Sequence, residues 1–223
     1  MDAINLTIEH GKTTAIVGSS GSGKTTLLKI ILKLYEPSEG KIFIGTINSK
    51  NISKYQWREQ CGVVMQDNYI FSDSILNNIT LKNYEALDID RLVAAANSAN
   101  IKDWIESLPL QYQTKIGSEG VGLSQGQKQR LLIARALYKN PTHIFFDEAT
   151  NSLDTENESI IMKNLADATK NKTVLVIAHR LSTVKNADVI VVLFNGKIVE
   201  KGNHNQLLKM KSYYYNLVNN QLS

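Results

Sequence analysis

Residues 18–25 read Gly-Ser-Ser-Gly-Ser-Gly-Lys-Thr and fill the pattern G-x-x-x-x-G-K-[ST]. Glycines at those spacings let the backbone wrap tightly, so that successive N–H groups point at phosphate oxygens. A helix starting there adds its positive end. Lys24 is placed to reach the β and γ phosphates of a nucleotide, and the Thr25 hydroxyl to hold Mg²⁺. Far downstream, the apolar run HIFF ends in Asp147-Glu148. A carboxylate at a strand end binds Mg²⁺, and the one beside it is placed to polarise an attacking water. A second anion-binding signature lies at residues 123–137, LSQGQKQRLLIARAL, where a small polar turn opens a helix pattern. One small chain therefore carries two phosphate-binding elements.

The elements that must hold these groups follow from the apolar periodicity. TTAIVG reads as a buried strand feeding the loop, and Leu27, Leu28, Ile31, Leu32 and Tyr35 take helical spacing after it. EPSEG ends that helix and leads to the short strand KIFIG, and GVVMQ is a further apolar run. Ile4, Leu6 and Ile8 alternate and predict a half-buried strand at the start of the chain. From Asp67 to Tyr138 strand signals thin out. Residues 86–107 read as helix up to Leu108-Pro109, and 123–138 as helix again. Strands return in HIFFD, TVLVIAH and DVIVVLF, with an amphipathic helix in TENESIIMKNLADAT, a hairpin turn at NGK and a closing helix over 205–222. The order predicts an α/β fold, a mostly parallel sheet flanked by helices, with an antiparallel β edge and an inserted helical subdomain; with its phosphate loop the chain resembles a P-loop NTPase core of the RecA-like kind. The expected division is core at 1–66 and 139–223, helical insert at 67–138.

Composition sets the class. The net charge of +4 is spread along the chain without a run of like charges, so no nucleic-acid partner is expected. One cysteine, Cys61, excludes an internal disulfide and reads as a buried small residue. No apolar run reaches the length of a membrane span, so this piece is expected to be soluble. Trp57 and Trp104 are expected to pack, and His10, His143 and His204 to serve structure.

Six motifs in order, GSSGSGKT, VMQD, LSQGQ, IFFDE, NSLD and IAHR, resemble the nucleotide-binding domain of ABC (ATP-binding cassette) proteins over essentially all 223 residues. The resemblance implies ATP and Mg²⁺ as cofactors. Gly18, Ser19, Ser20, Gly21, Ser22, Gly23, Lys24, Thr25 and Thr26 then bind nucleotide. Thr25, Gln66 and Asp147 organise Mg²⁺, Glu148 orients or deprotonates water, and His179 contacts the γ-phosphate. In the family two such domains pair head to tail, so Ser124, Gly126 and Gln127 reach the ATP held by the partner, and Asp154 works across the interface. That answers why one chain has two phosphate-binding elements. The implied partners are a second domain of the same kind, workable as a homodimer, and the coupling helices of a transmembrane domain absent from this chain. The implied place is the cytoplasmic face of a membrane.

VVMQDNYIFSDSILNNI, DEATNSLD and IGSEG resemble exporters, and most closely bacterial exporters with a peptidase domain that secrete bacteriocin-like peptides. A lipid or drug exporter and a soluble ABC ATPase outside transport are the alternatives. The intact Lys24, Asp147, Glu148 and His179 speak against a binding module without turnover, and the signature speaks against a small-molecule kinase. Three departures stand out. Ser118 occupies a place where Glu is usual, with Glu119 next to it. Gln125 replaces the first signature glycine, at a cost if that residue needs positive φ. Residues 1–34 have no aromatic side chain for the adenine, so weaker ATP binding is expected of this piece.

Overall fold

The computed structural model describes residues 1–65, 68–81, 87–118, 120–147, 155–178 and 180–221. TTAIV is β-branched at every position but Ala15 and forms β1 (Thr13–Val17), with Ala15 and Ile16 fully buried. After the glycine loop, α1 (Lys24–Ile31) buries Leu27 and Leu28. Lys33 then turns left-handed (φ 55°), and its ammonium donates to the carbonyls of Ser49 and Ile52, fixing the next segment. The chain continues through β2 (Phe43–Ile44), β3 (Ile47–Asn48), α2 (Lys54–Glu59), β4 (Cys61–Val64), β5 (Asp73–Ser74) and α3 (Ile75–Thr80). Next come α4 (Ile89–Ser98), α5 (Lys102–Ser107), β6 (Lys115–Ile116) and α6 (Gln125–Tyr138). It closes with β7 (His143–Asp147), α7 (Thr155–Ala168), β8 (Thr173–Ile177), α8 (Leu181–Val184), β9 (Val189–Phe194), β10 (Lys197–Gly202), α9 (His204–Met210) and α10 (Tyr213–Gln221).

Two compact units result. One comprises Met1–Cys61, Thr142–Glu148 and Asn171–Ser223, the other Gly62–Pro141 and Ala149–Lys170. In the first, strands run in the order β10-β9-β1-β8-β7. β1 pairs parallel with β8 (Ile16 opposite Ile177) and with β9 (Ala15 opposite Ile190), and β7 pairs parallel with β8. β10 is antiparallel to β9 through the turn Asn195-Gly196, whose φ angles of 48° and 76° suit a tight hairpin. β2 and β3 form a small separate antiparallel pair. Parallel pairing with burial on both faces explains the continuous apolar runs of β8 and β9.

The second unit is mostly helical. α3 and α4 pack on α6, which buries Leu131, Leu132, Ile133 and Ala134. β5 and β6 pair antiparallel, Asp73 opposite Ile116.

The fold class expected from sequence is the one found; several elements differ. Residues 4–8 keep alternating half-burial, but no strand forms there, because the alternation meets no neighbouring ladder. The helix expected over 86–107 is two helices, α4 and α5. Asn100 turns left-handed (φ 52°) between them, and its N–H and that of Ile101 bond back to Asn97 and Ala96 carbonyls. The closing helix is likewise two, split at Lys211 (φ 51°). Tyr35 lies beyond α1 and is 52% exposed, so it belongs to no helix face.

A candidate nucleotide site

The phosphate loop grows out of the buried end of β1. A Cβ on Gly18 would come 2.1 Å from the Leu193 carbonyl oxygen, so β9 passes too close for any side chain there. Gly23 holds φ 102° at the start of α1 and, having no side chain, contributes no cap to that helix. Lys24 is buried, and its ammonium donates to the Gly18 carbonyl at 2.8 Å and the Ser19 carbonyl at 3.0 Å. The loop is thus wrapped around a cation. Ser22 Oγ is buried inside it without a hydrogen-bond partner. A buried ammonium held by two loop carbonyls, beside an orphaned hydroxyl and the start of a helix, fits a polyphosphate.

Thr25 Oγ1 stands 3.5 Å from Asp147 Oδ1. Asp147 is the last residue of β7 and is 3% exposed. The pair gives one neutral and one anionic hard oxygen donor, a set that suits Mg²⁺ completed by phosphate and water. Among the described residues, no group of three or more His, Cys, Asp or Glu could hold a metal by itself. A cavity of about 130 Å³ beside Gly18 and Ser19, walled by Leu193, Phe194 and Tyr213, is too small for a nucleotide, since ligand pockets start at roughly 300 Å³.

The signature lies in the second unit. Ser124 caps α6: its Oγ accepts the Gln127 N–H at 3.1 Å, while Gln127 Oε1 accepts the Ser124 N–H at 2.9 Å. This reciprocal cap leaves the Ser124 hydroxyl hydrogen and the Gln127 amide hydrogens as donors. Gln125 is the first helical residue and is not among those with positive φ, so replacing glycine there costs no strain. Gly126 follows within the helix. Gln66, Glu148, Asp154 and His179 lie outside the described residues, as does Glu119.

A family model described as ABC transporter matches residues 1–151. The chain belongs to the ABC transporter family. It is an ABC ATP-binding domain, and the homologous domains are ATPases coupled to transport. It is 47% identical over 221 residues to the alpha-hemolysin translocation ATP-binding protein HlyB of Escherichia coli, covering 97% of this chain and 31% of that protein. It is 45% identical to the ATP-dependent lipid A-core flippase of Haemophilus ducreyi, over 100% of this chain and 38% of the flippase. A solved structure of a bacterial Atm1-family ABC exporter with ATP bound superposes with a TM-score of 0.90 at 38% identity, over 96% of this chain and 37% of the other. The ABC domain thus spans about a third of the length of these two curated relatives. Among its described residues no helix is long and apolar enough to cross a membrane.

Other expected residues take the structural places foreseen for them. Trp57 is buried and donates its indole N–H to the Ile31 carbonyl at 2.8 Å; Trp104 is half-buried. Cys61 is buried and donates its S–H to the Trp57 carbonyl. The His143 ring packs against Trp57 at a tilt, centroids 4.9 Å apart, His10 pairs with the Thr173 hydroxyl, and His204 with the Tyr214 hydroxyl. Ser118 bonds Ser72 through their hydroxyls at 2.8 Å. Sequence reasoning missed Asn78 and Arg135. Their signal was a polar residue at a helical position within an apolar stretch, in ILNNI and IARAL.

Proposed function

We propose that this ABC domain is the ATP-hydrolysing motor of an exporter and works as a head-to-tail homodimer around two ATP molecules. One observation supports the reading: a single chain holds two elements suited to phosphate, the loop around Lys24 and the capped start of α6 at Ser124. A nucleotide held by the loop of one copy is then completed by the signature of another.

In this reading Gly18, Ser19, Ser20, Gly21, Ser22, Gly23 and Thr26 wrap the phosphates, and Lys24 releases its two carbonyls to meet them. Mg²⁺, held by Thr25, Asp147 and Gln66, would neutralise phosphate charge. Glu148 takes or orients the proton of the attacking water. His179 and, from the partner copy, Ser124, Gly126, Gln127 and Asp154 hold the γ-phosphate in place. Loss of that phosphate removes the charge both copies share, and the pair opens. Residues 67–138 act as the signature subdomain, and the segment 68–74 with residues 117–118 meets the coupling helices of a membrane domain in the rest of the transporter. The domain then lies at the cytoplasmic face of a membrane.

The cargo proposed is a peptide or protein, of the bacteriocin type. HlyB, named for alpha-hemolysin translocation, supports an exported polypeptide. The similar identity to a lipid A-core flippase favours lipid as the second reading. The test is phosphate release from Mg-ATP by this chain with no acceptor added. Turnover that disappears in Lys24→Ala and Glu148→Gln is expected. Turnover unchanged in Glu148→Gln, or phosphate passed only to an added acceptor, contradicts it.

A further inference from the structure

Asn78 of α3 is fully buried and uses both ends of its amide. Its Oδ1 accepts the Phe71 N–H at 2.9 Å, and its Nδ2 donates to the carbonyls of Phe71 and Ser74 at 3.0 Å each. Arg135 of α6 locks onto the same knot. Its Nε donates to the Asn78 carbonyl at 2.7 Å, Nη1 to the Tyr69 carbonyl at 2.9 Å and Nη2 to Asn78 Oδ1 at 3.0 Å. The guanidinium also lies 5.4 Å from the centre of the Phe71 ring. Burial lowers its pKa to about 10, which leaves it charged at neutral pH. Above the knot, Tyr69 and Phe71 form an edge-on ring pair, centroids 5.4 Å apart, with exposures of 68% and 47%.

A half-buried guanidinium such as that of Arg135 loses hydration that several directed bonds must offset. Here three donors of one rigid fork grip residues 69 and 78 at once, beneath the Phe71 ring. A lysine carries the charge but not the fork. Ser124 begins the same helix, eleven residues earlier, about 16 Å away at 1.5 Å per residue. A phosphate drawn to the start of α6 therefore acts on one end of a rod whose far part holds the aromatic segment.

We propose that Arg135 is a positioning residue that makes the exposed Tyr69–Phe71 pair move with the signature helix. This rests on the shared-site reading above. The surface that receives the movement is the membrane-domain portion of the transporter, since the chain covers only 31% to 38% of relatives built to translocate.

Hydrogen exchange of the whole chain, carrying Glu148→Gln, tests this with and without Mg-ATP, alone and combined with Arg135→Lys or Phe71→Leu. In the parent, ATP slows exchange at 124–130 and, at least about fivefold, at 69–74. Arg135→Lys keeps the response at 124–130, loses it at 69–74, and speeds the Phe71 amide about tenfold. Phe71→Leu, which spares the fork, keeps both responses. An unchanged response at 69–74 in Arg135→Lys overturns the proposal. Loss of both responses also overturns it, making Arg135 a residue of the fold alone. A parent without any response at 124–130 removes the shared site, and the coupling with it.

Discussion

Thr25 Oγ1 lies 3.5 Å from Asp147 Oδ1, although 122 residues separate them in the chain. β1 and β7 end at the same edge of one parallel sheet, each pairing with β8, and so deliver the hydroxyl and the carboxylate to one place. Asp147→Asn keeps the shape and removes the charge. The Mg²⁺ concentration needed for half-maximal hydrolysis should rise at least about 10–100-fold, while metal-free ATP binding stays the same. An unchanged Mg²⁺ requirement in a titration of ATPase rate would remove Asp147 from the metal's shell.

Gly18 is fixed by its neighbour rather than by the phosphate. A Cβ there meets the Leu193 carbonyl at 2.1 Å, so Gly18→Ala must push β9 and the loop apart. The expected loss is about 1–3 kcal/mol in denaturant unfolding without nucleotide. Full stability combined with weaker ATP binding would show instead that the glycine serves the ligand only.

Much of this was readable in the chain. Continuous β-branched runs such as TVLVI mark buried parallel strands because both faces are covered, and the phosphate loop announces itself because few other residues tolerate its backbone. The signature cap was equally legible as Ser124 followed three residues later by Gln127. What stayed hidden depended on partners distant in sequence. Ile4, Leu6 and Ile8 alternate like a strand, yet a strand exists only where another chain segment completes its ladder. Asn100 and Lys211 break helices by taking left-handed angles that periodicity does not register. Asn78 and Arg135 look like polar interruptions until their bonds to residues 69–74 are seen.

The cap on α6 separates two roles of Ser124. Ser124→Ala loses the acceptor for the Gln127 N–H and should cost about 1 kcal/mol of stability. Ser124→Asp keeps the cap but turns a negative charge toward the place assigned to phosphate. Unfolding curves should show the aspartate variant as stable as the parent, and ATP-dependent pairing should vanish in it. Pairing that survives in Ser124→Asp would detach the signature from the nucleotide.

Two histidines link stability to pH. Burial, helped by nearby His10 and opposed by a backbone bond to Gln60, lowers the pKa of His143; burial, then Lys185, lowers that of His204. The folded state therefore holds fewer protons than the unfolded one just below the ordinary value of about 6.5. Their contribution is present above that value and is lost as pH falls through it. Denaturant midpoints should drop between about pH 7.5 and 5.5, less steeply in His143→Gln. Equal slopes in the two proteins would exclude His143 as a source.

The central claim is that the two phosphate-binding elements meet only across a pair of chains. Size-exclusion chromatography with light scattering on Glu148→Gln, with and without Mg-ATP, tests it most directly. A dimer that forms only with Mg-ATP and disappears on adding Ser124→Arg is the predicted result. A monomer at saturating Mg-ATP, or a dimer indifferent to both nucleotide and Ser124→Arg, would contradict the shared site.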